Sequence, residues 1–85
     1  MLRGRIIFIF ILFVSISIKA DISDPVGVFN EGNKQYEEHN YEAAINSYEG
    51  LCEEFYSPEL FLNLGNSYYK VDDIPNTILY YEKAL

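Results

Sequence analysis

Few residues of this chain are equipped for chemistry. His39 is its only histidine and Cys52 its only cysteine. The adjacent acidic pairs Glu37-Glu38, Glu53-Glu54 and Asp72-Asp73 are further candidates for a general acid, a base or a metal ligand. Nucleophilic catalysis needs a base within hydrogen-bond reach and a third group to orient it. His39 falls between two helical patterns, where a solvated backbone role is expected rather than a base or a ligand. Adjacent residues on a helix point apart, so neither glutamate pair converges on one ion. Cys52 lies on an apolar stripe with no cation beside it in sequence, the setting of a small buried hydrophobe rather than a reactive thiolate. No glycine-rich loop cradles a phosphate. The expectation is therefore no catalytic set, no metal and no cofactor. Asn33 and Asn66, and Tyr36 and Tyr69, are residue types suited to recognition. An amide can bond both the donor and the acceptor of an extended peptide backbone, and tyrosine offers a rigid amphipathic face.

The elements that must position these residues come from a duplication. A shift of 33 residues aligns Asp24–Cys52 with Ser57–Leu85, and eight of the 29 pairs are identical. They are Pro25/Pro58, Asn30/Asn63, Gly32/Gly65, Asn33/Asn66, Tyr36/Tyr69, Ile45/Ile78, Tyr48/Tyr81 and Glu49/Glu82. Ordinary residue usage would give roughly two. Each unit reads as two helices. Asp24-Pro25 and Ser57-Pro58 each place a capping side chain before a proline at the first helical position, where the missing N–H costs nothing. The first helix of each unit is expected to end near Glu38 and Val71. His39 and Asp72 then take a turn position with a left-handed or otherwise unusual backbone, which these types tolerate better than most. Asn40 and Asp73 are expected to cap the second helices. Those helices carry Tyr41, Ala44, Ile45, Tyr48 and Leu51, then Ile74, Ile78, Tyr81, Ala84 and Leu85, at the spacing of one buried face. Gly32 and Gly65 lie mid-helix, at about 1 kcal/mol each relative to alanine. Close helix approach, with Tyr48 and Tyr81 over bare backbone, is one explanation; a flexible kink is the other.

The first twenty residues have a different character. Arg3 and Arg5 precede an apolar run from Ile6 to Ile18, and Ala20 offers a small residue before a cut. That order predicts a secretory signal peptide over residues 1–20, with an uncleaved anchor as the alternative and the one route to a membrane. The run is too short to span a bilayer, which takes about 20 residues. The whole chain carries a net charge of −7. Cleavage leaves Lys34, Lys70 and Lys83 against thirteen acids, a net charge of −10. A surface this acidic repels phosphate backbones and anionic lipid, so nucleic acid is not an expected partner. A single cysteine permits no internal disulfide.

The stretch Asn63-Leu64-Gly65-Asn66-Ser67-Tyr68-Tyr69-Lys70, followed by Ile78, Tyr81 and Ala84-Leu85, resembles the tetratricopeptide repeat pattern. Gly32, Tyr41-Glu42-Ala43-Ala44-Ile45 and Tyr48 repeat it in the first unit. The likeness covers about residues 25–85 and departs from the pattern at Glu31, Leu51 and Thr77, where it implies weaker local packing. More narrowly, the signal-like start together with the second unit is similar to the repeat proteins of bacterial aerotolerance (Bat) operons, which are envelope proteins. The resemblance implies an all-α fold. Two helix-turn-helix pairs, at residues 24–55 and 57–85, would form a short right-handed α-solenoid with Gly32, Ala44, Tyr48, Gly65, Tyr68, Tyr81 and Ala84 at its structural positions. It further implies a concave groove lined by Phe29, Asn33, Tyr36, Glu37, Leu62, Asn66, Tyr69 and Lys70. Chaperone-binding members of the family clamp a terminal carboxylate with lysine and asparagine. Phe29 stands where that lysine is expected, which argues against this mode in an acidic protein.

The function expected from these readings is a non-catalytic scaffold, exported to the periplasm or cell envelope, that binds a peptide or partner helix. The alternative is an assembly subunit that self-associates or stacks on further repeats. Repeat arrays generally need at least three units and a polar cap. A chain closing on Ala84-Leu85 inside an apolar stripe is accordingly expected to be part of a longer array.

Overall fold

The computed structural model describes residues 23–85, so the signal-peptide expectation lies outside the described residues. These residues form four helices and no strand: α1 (Pro25–Glu37), α2 (Tyr41–Cys52), α3 (Pro58–Lys70) and α4 (Ile74–Ala84). None of them is long and apolar enough to cross a membrane.

The helix starts follow from local chemistry. The Asp24 carboxylate accepts from Gly27 N at 3.0 Å, and Ser57 Oγ accepts from Leu60 N at 3.2 Å, each just ahead of a proline. Asp73 caps α4 through Asn76 N at 3.2 Å. Asn40 differs from expectation: it occupies the cap position of α2, but its side chain makes no capping bond. Its carbonyl alone serves the helix, accepting from Ala44 N at 3.0 Å.

The ends of α1 and α3 are built alike. His39 and Asp72 both have φ of 65°, the left-handed backbone expected at these places. At the first turn Asn40 N donates to Gln35 O at 2.8 Å and His39 N to Tyr36 O at 3.0 Å. At the second, Asp73 N donates to Tyr68 O and Asp72 N to Tyr69 O. This pair of crossed bonds satisfies carbonyls that a helix end otherwise leaves open, and it reverses the chain at once.

The reversal makes α1–α2 and α3–α4 antiparallel pairs, with α3 also packed along α2. A Cβ at Gly32 would lie 2.6 Å from Tyr48 Cε1, and one at Gly65 would lie 2.5 Å from Tyr81 Cδ1. Both glycines are therefore sites of close approach, with a tyrosine ring from the second helix lying over bare backbone in each pair. Between the pairs, Ala44, Ile45, Tyr48 and Leu51 of α2 meet Leu60 and Leu64 of α3 in one apolar cluster. Leu51 is thus a full member of the core rather than a weak point. Thr77 is also buried without penalty, because its hydroxyl donates to Asp73 O at 2.8 Å. Ser67 is wholly buried and satisfied in the same way, by Asn63 O at 2.9 Å.

Candidate partner-binding cleft

Side by side, α1 and α3 leave a cleft of about 260 Å³ lined by Asn33, Tyr36, Glu37, Tyr48, Asn63 and Asn66. Its polar groups are held by the same close approaches that build the fold. Tyr48 crosses Gly32 and donates its hydroxyl to Asn33 Oδ1 at 2.5 Å. Asn63 Nδ2 reaches across from α3 to the same oxygen at 3.2 Å. In the second unit Tyr81 crosses Gly65 and donates to Asn66 Oδ1. Glycine, tyrosine and asparagine therefore form one device, repeated 33 residues on.

This arrangement fixes what the amides can offer. Both lone pairs of Asn33 Oδ1 are engaged within the protein, and Asn66 Oδ1 already accepts a phenol. The Nδ2 donors remain, so the cleft presents N–H groups suited to carbonyl oxygens. The two-way amide recognition expected from sequence thus narrows to donation at Asn33, while Asn66 Oδ1 keeps one lone pair. Burial pushes the Tyr48 phenol up to about 12, with a hydrogen bond from Asn63 acting the other way, so the hydroxyl stays a proton donor at ordinary pH.

Of the residues expected to line a groove, Asn33, Tyr36, Glu37 and Asn66 converge here. Phe29 does not. Its ring packs tilted on Tyr48 with centroids 5.8 Å apart, against the core, beside a separate shallow depression formed with Pro25, Val26, Leu51 and Phe55. Leu62 sits instead with Pro58, Tyr81 and Leu85 at the α4 end. Tyr69 is exposed and does not line the cleft. Lys70 reaches back over the Tyr41 ring, 5.9 Å from its centroid. The cleft adds two residues outside the expected groove lining, Asn63 and Tyr48. The Asn30/Asn63 identity in the duplication was the available signal for the first. Among the structural positions, Gly32, Ala44, Tyr48 and Gly65 are buried and Tyr68, Tyr81 and Ala84 are half-buried.

On the opposite side, Glu49 accepts hydroxyl bonds from Tyr68 and, at 3.5 Å, Tyr80, whose rings stack 5.7 Å apart. Burial first, and the Glu49 carboxylate after it, raise both phenols above their ordinary range. Cys52 lies nearby. The fold does bring the Lys83 ammonium toward it, which spacing alone did not show, yet burial and then Glu49 outweigh that charge and push the thiol up to about 11. A thiol held protonated is a poor nucleophile. His39 is exposed, 5.8 Å from the Tyr41 ring between centroids. Among the described residues no three acids, histidines or cysteines gather in a way that could hold a metal ion.

Comparison with protein-family models, with curated proteins and with solved structures finds no match.

Proposed function

We propose that this chain is an exported, tetratricopeptide-type scaffold of the cell envelope that binds an extended peptide segment in the cleft between α1 and α3. The observation that carries the reading is the convergence of asparagine N–H donors from two helices, with the Asn33 and Asn66 amide oxygens already bound to Tyr48 and Tyr81. Donors locked in this way lose little freedom on binding, which is what a recognition site for backbone carbonyls requires. Tyr36 supplies an apolar face at the rim, set edge-on to Tyr41 at 5.2 Å. The helical pairs recurring at a 33-residue interval and the signal-like start support the repeat-family and export parts of the reading.

Selection of a random peptide library on the 85-residue chain tests the proposal. Asn33→Asp and Asn66→Asp keep an oxygen for the tyrosine hydroxyl and remove the N–H donors. Each is expected to weaken selected peptides by about tenfold, the equivalent of roughly 1.4 kcal/mol. Asn46→Asp adds the same charge on an exposed face of α2 and is expected to leave binding intact. Peptides indifferent to both cleft substitutions would remove the cleft from consideration.

A further inference from the structure

The groove between α1 and α3 can be followed level by level. Phe29 shares a depression with Glu59, Asn63 Nδ2 bonds Asn33 Oδ1, and Glu37 lines the cleft with Asn66. The two helices therefore run in the same direction, with a glutamate towards each end of their shared groove and amide donors between. Both carboxylates are exposed. Neither meets a cation within 4.0 Å among the described residues, where the one ion pair is Lys34–Glu38. The other two lysines are turned elsewhere: Lys70 lies over the Tyr41 ring and Lys83 over the Phe61 ring, each 5.9 Å from the centroid. The field of Glu59 reaches into the groove. Burial is the main cause of the raised Tyr48 phenol, and the Glu59 charge acts in the same direction.

We infer that the segment bound in this groove is extended and carries two basic side chains four residues apart, one meeting Glu37 and the other Glu59, with its intervening carbonyls on the asparagine donors. The inference rests on the peptide-binding reading of the cleft and gives that reading a ligand class. The spacing follows from the helices. Glu59 stands level with Phe29, eight residues before Glu37, which is about 12 Å at 1.5 Å per residue. An extended segment covers about 13 Å in four residues, and side chains four apart point to the same side. Side chains three apart point to opposite sides, so only one could reach a carboxylate. Arginine suits the role best, because its planar fork bonds a carboxylate at two points. Beside Glu37, the Tyr36 ring offers an apolar surface to the aliphatic stem. The same two acids repel an acidic segment or a free terminal carboxylate.

Fluorescence anisotropy with three end-blocked peptides, titrated with the 85-residue chain, tests the inference. The first is Ser-Arg-Ser-Val-Ser-Arg-Ser; the second has glutamine for both arginines; the third, Ser-Arg-Ser-Val-Arg-Ser-Ser, shortens the spacing by one. The first is expected to bind saturably and about tenfold more tightly than the second, with the third between them. Glu37→Gln and Glu59→Gln should each weaken the first peptide about threefold, the size of an exposed ion pair, and leave the second unchanged. Glu54→Gln removes the same charge at an exposed position outside the groove and should change neither. Helical circular dichroism is expected to be retained in all three variants, since these side chains are exposed. The uncharged second peptide also reads the amide donors without a charge effect, through Asn33→Asp and Asn66→Asp. Equal binding of the first two peptides, both weakened by the asparagine substitutions, would overturn the basic-ligand inference and leave the peptide-binding cleft standing. A loss with Glu54→Gln as large as with Glu37→Gln would reduce the preference to diffuse attraction and overturn it too, as would equal binding of the first and third peptides. No saturable binding of any peptide would overturn the inference and the cleft reading together.

Discussion

Gly32, Gly50 and Gly65 all sit inside helices, yet the same substitution has three different expected outcomes. Alanine at Gly32 puts a methyl 2.6 Å from the ring of Tyr48, which is 1 % exposed and tied to Asn33. Overpacking there costs about 1–3 kcal/mol, more than the roughly 1 kcal/mol gained in helix propensity. Gly32→Ala is therefore expected to destabilise. The ring at Gly65 belongs to the half-buried Tyr81, which has more room to yield, so Gly65→Ala should cost less. At Gly50 a Cβ meets nothing within 4 Å, and Gly50→Ala should stabilise by up to about 1 kcal/mol. Urea midpoints at constant m-value give the order. A Gly32→Ala midpoint at or above that of the unsubstituted protein would show that Tyr48 is not fixed. The pairing of glycine with tyrosine was legible in sequence because both recur at the same interval. The asparagine that completes the device was legible only as a duplicated amide, since its partner lies 15 residues away across a helix contact.

At the scale of the element, the helix ends separate side chains that act from side chains that merely occupy a position. Asp24 and Ser57 each hold a backbone N–H, and replacing either with alanine is expected to cost about 1 kcal/mol. Asn40→Ala should cost little, because its side chain makes no such bond. Thermal unfolding followed by helical circular dichroism distinguishes the cases, and an Asn40→Ala loss equal to that of Ser57→Ala would contradict the assigned geometry. Capping residues are chosen by types and offsets within a few positions, so the starts of α1, α3 and α4 could be read from sequence. Whether a given cap side chain turns inward depends on its rotamer and on neighbours that spacing does not reveal.

Across the whole molecule, Tyr48, Tyr68, Tyr80 and Cys52 make stability sensitive to alkali. Cys52 is raised from 9.0 to about 11 and Tyr48 from 10.0 to about 12, chiefly by burial, and Tyr68 and Tyr80 are raised as well. In each case the folded state keeps a proton that the unfolded chain releases first. Their contribution is therefore complete below about pH 9 and is lost as pH rises through roughly 9 to 12. Denaturant titrations at stepped pH should show this fall, and Cys52→Ala should move its onset upward toward 10; a flat profile from 9 to 12 would contradict the burial of these groups. The sequence alone was enough for the helix pairs, and it pointed to unusual backbone at His39 and Asp72 and to rings over Gly32 and Gly65, because these depend on local conformation or on a pattern stated twice. Only the tertiary structure decided that Phe29 packs inward, that Lys83 approaches Cys52, that the amide oxygens are already occupied, and that Ile78 lies bare where Ile45 is covered. Those outcomes depend on how far apart packed helices lie and which way they lean, and periodicity along the chain carries no record of either.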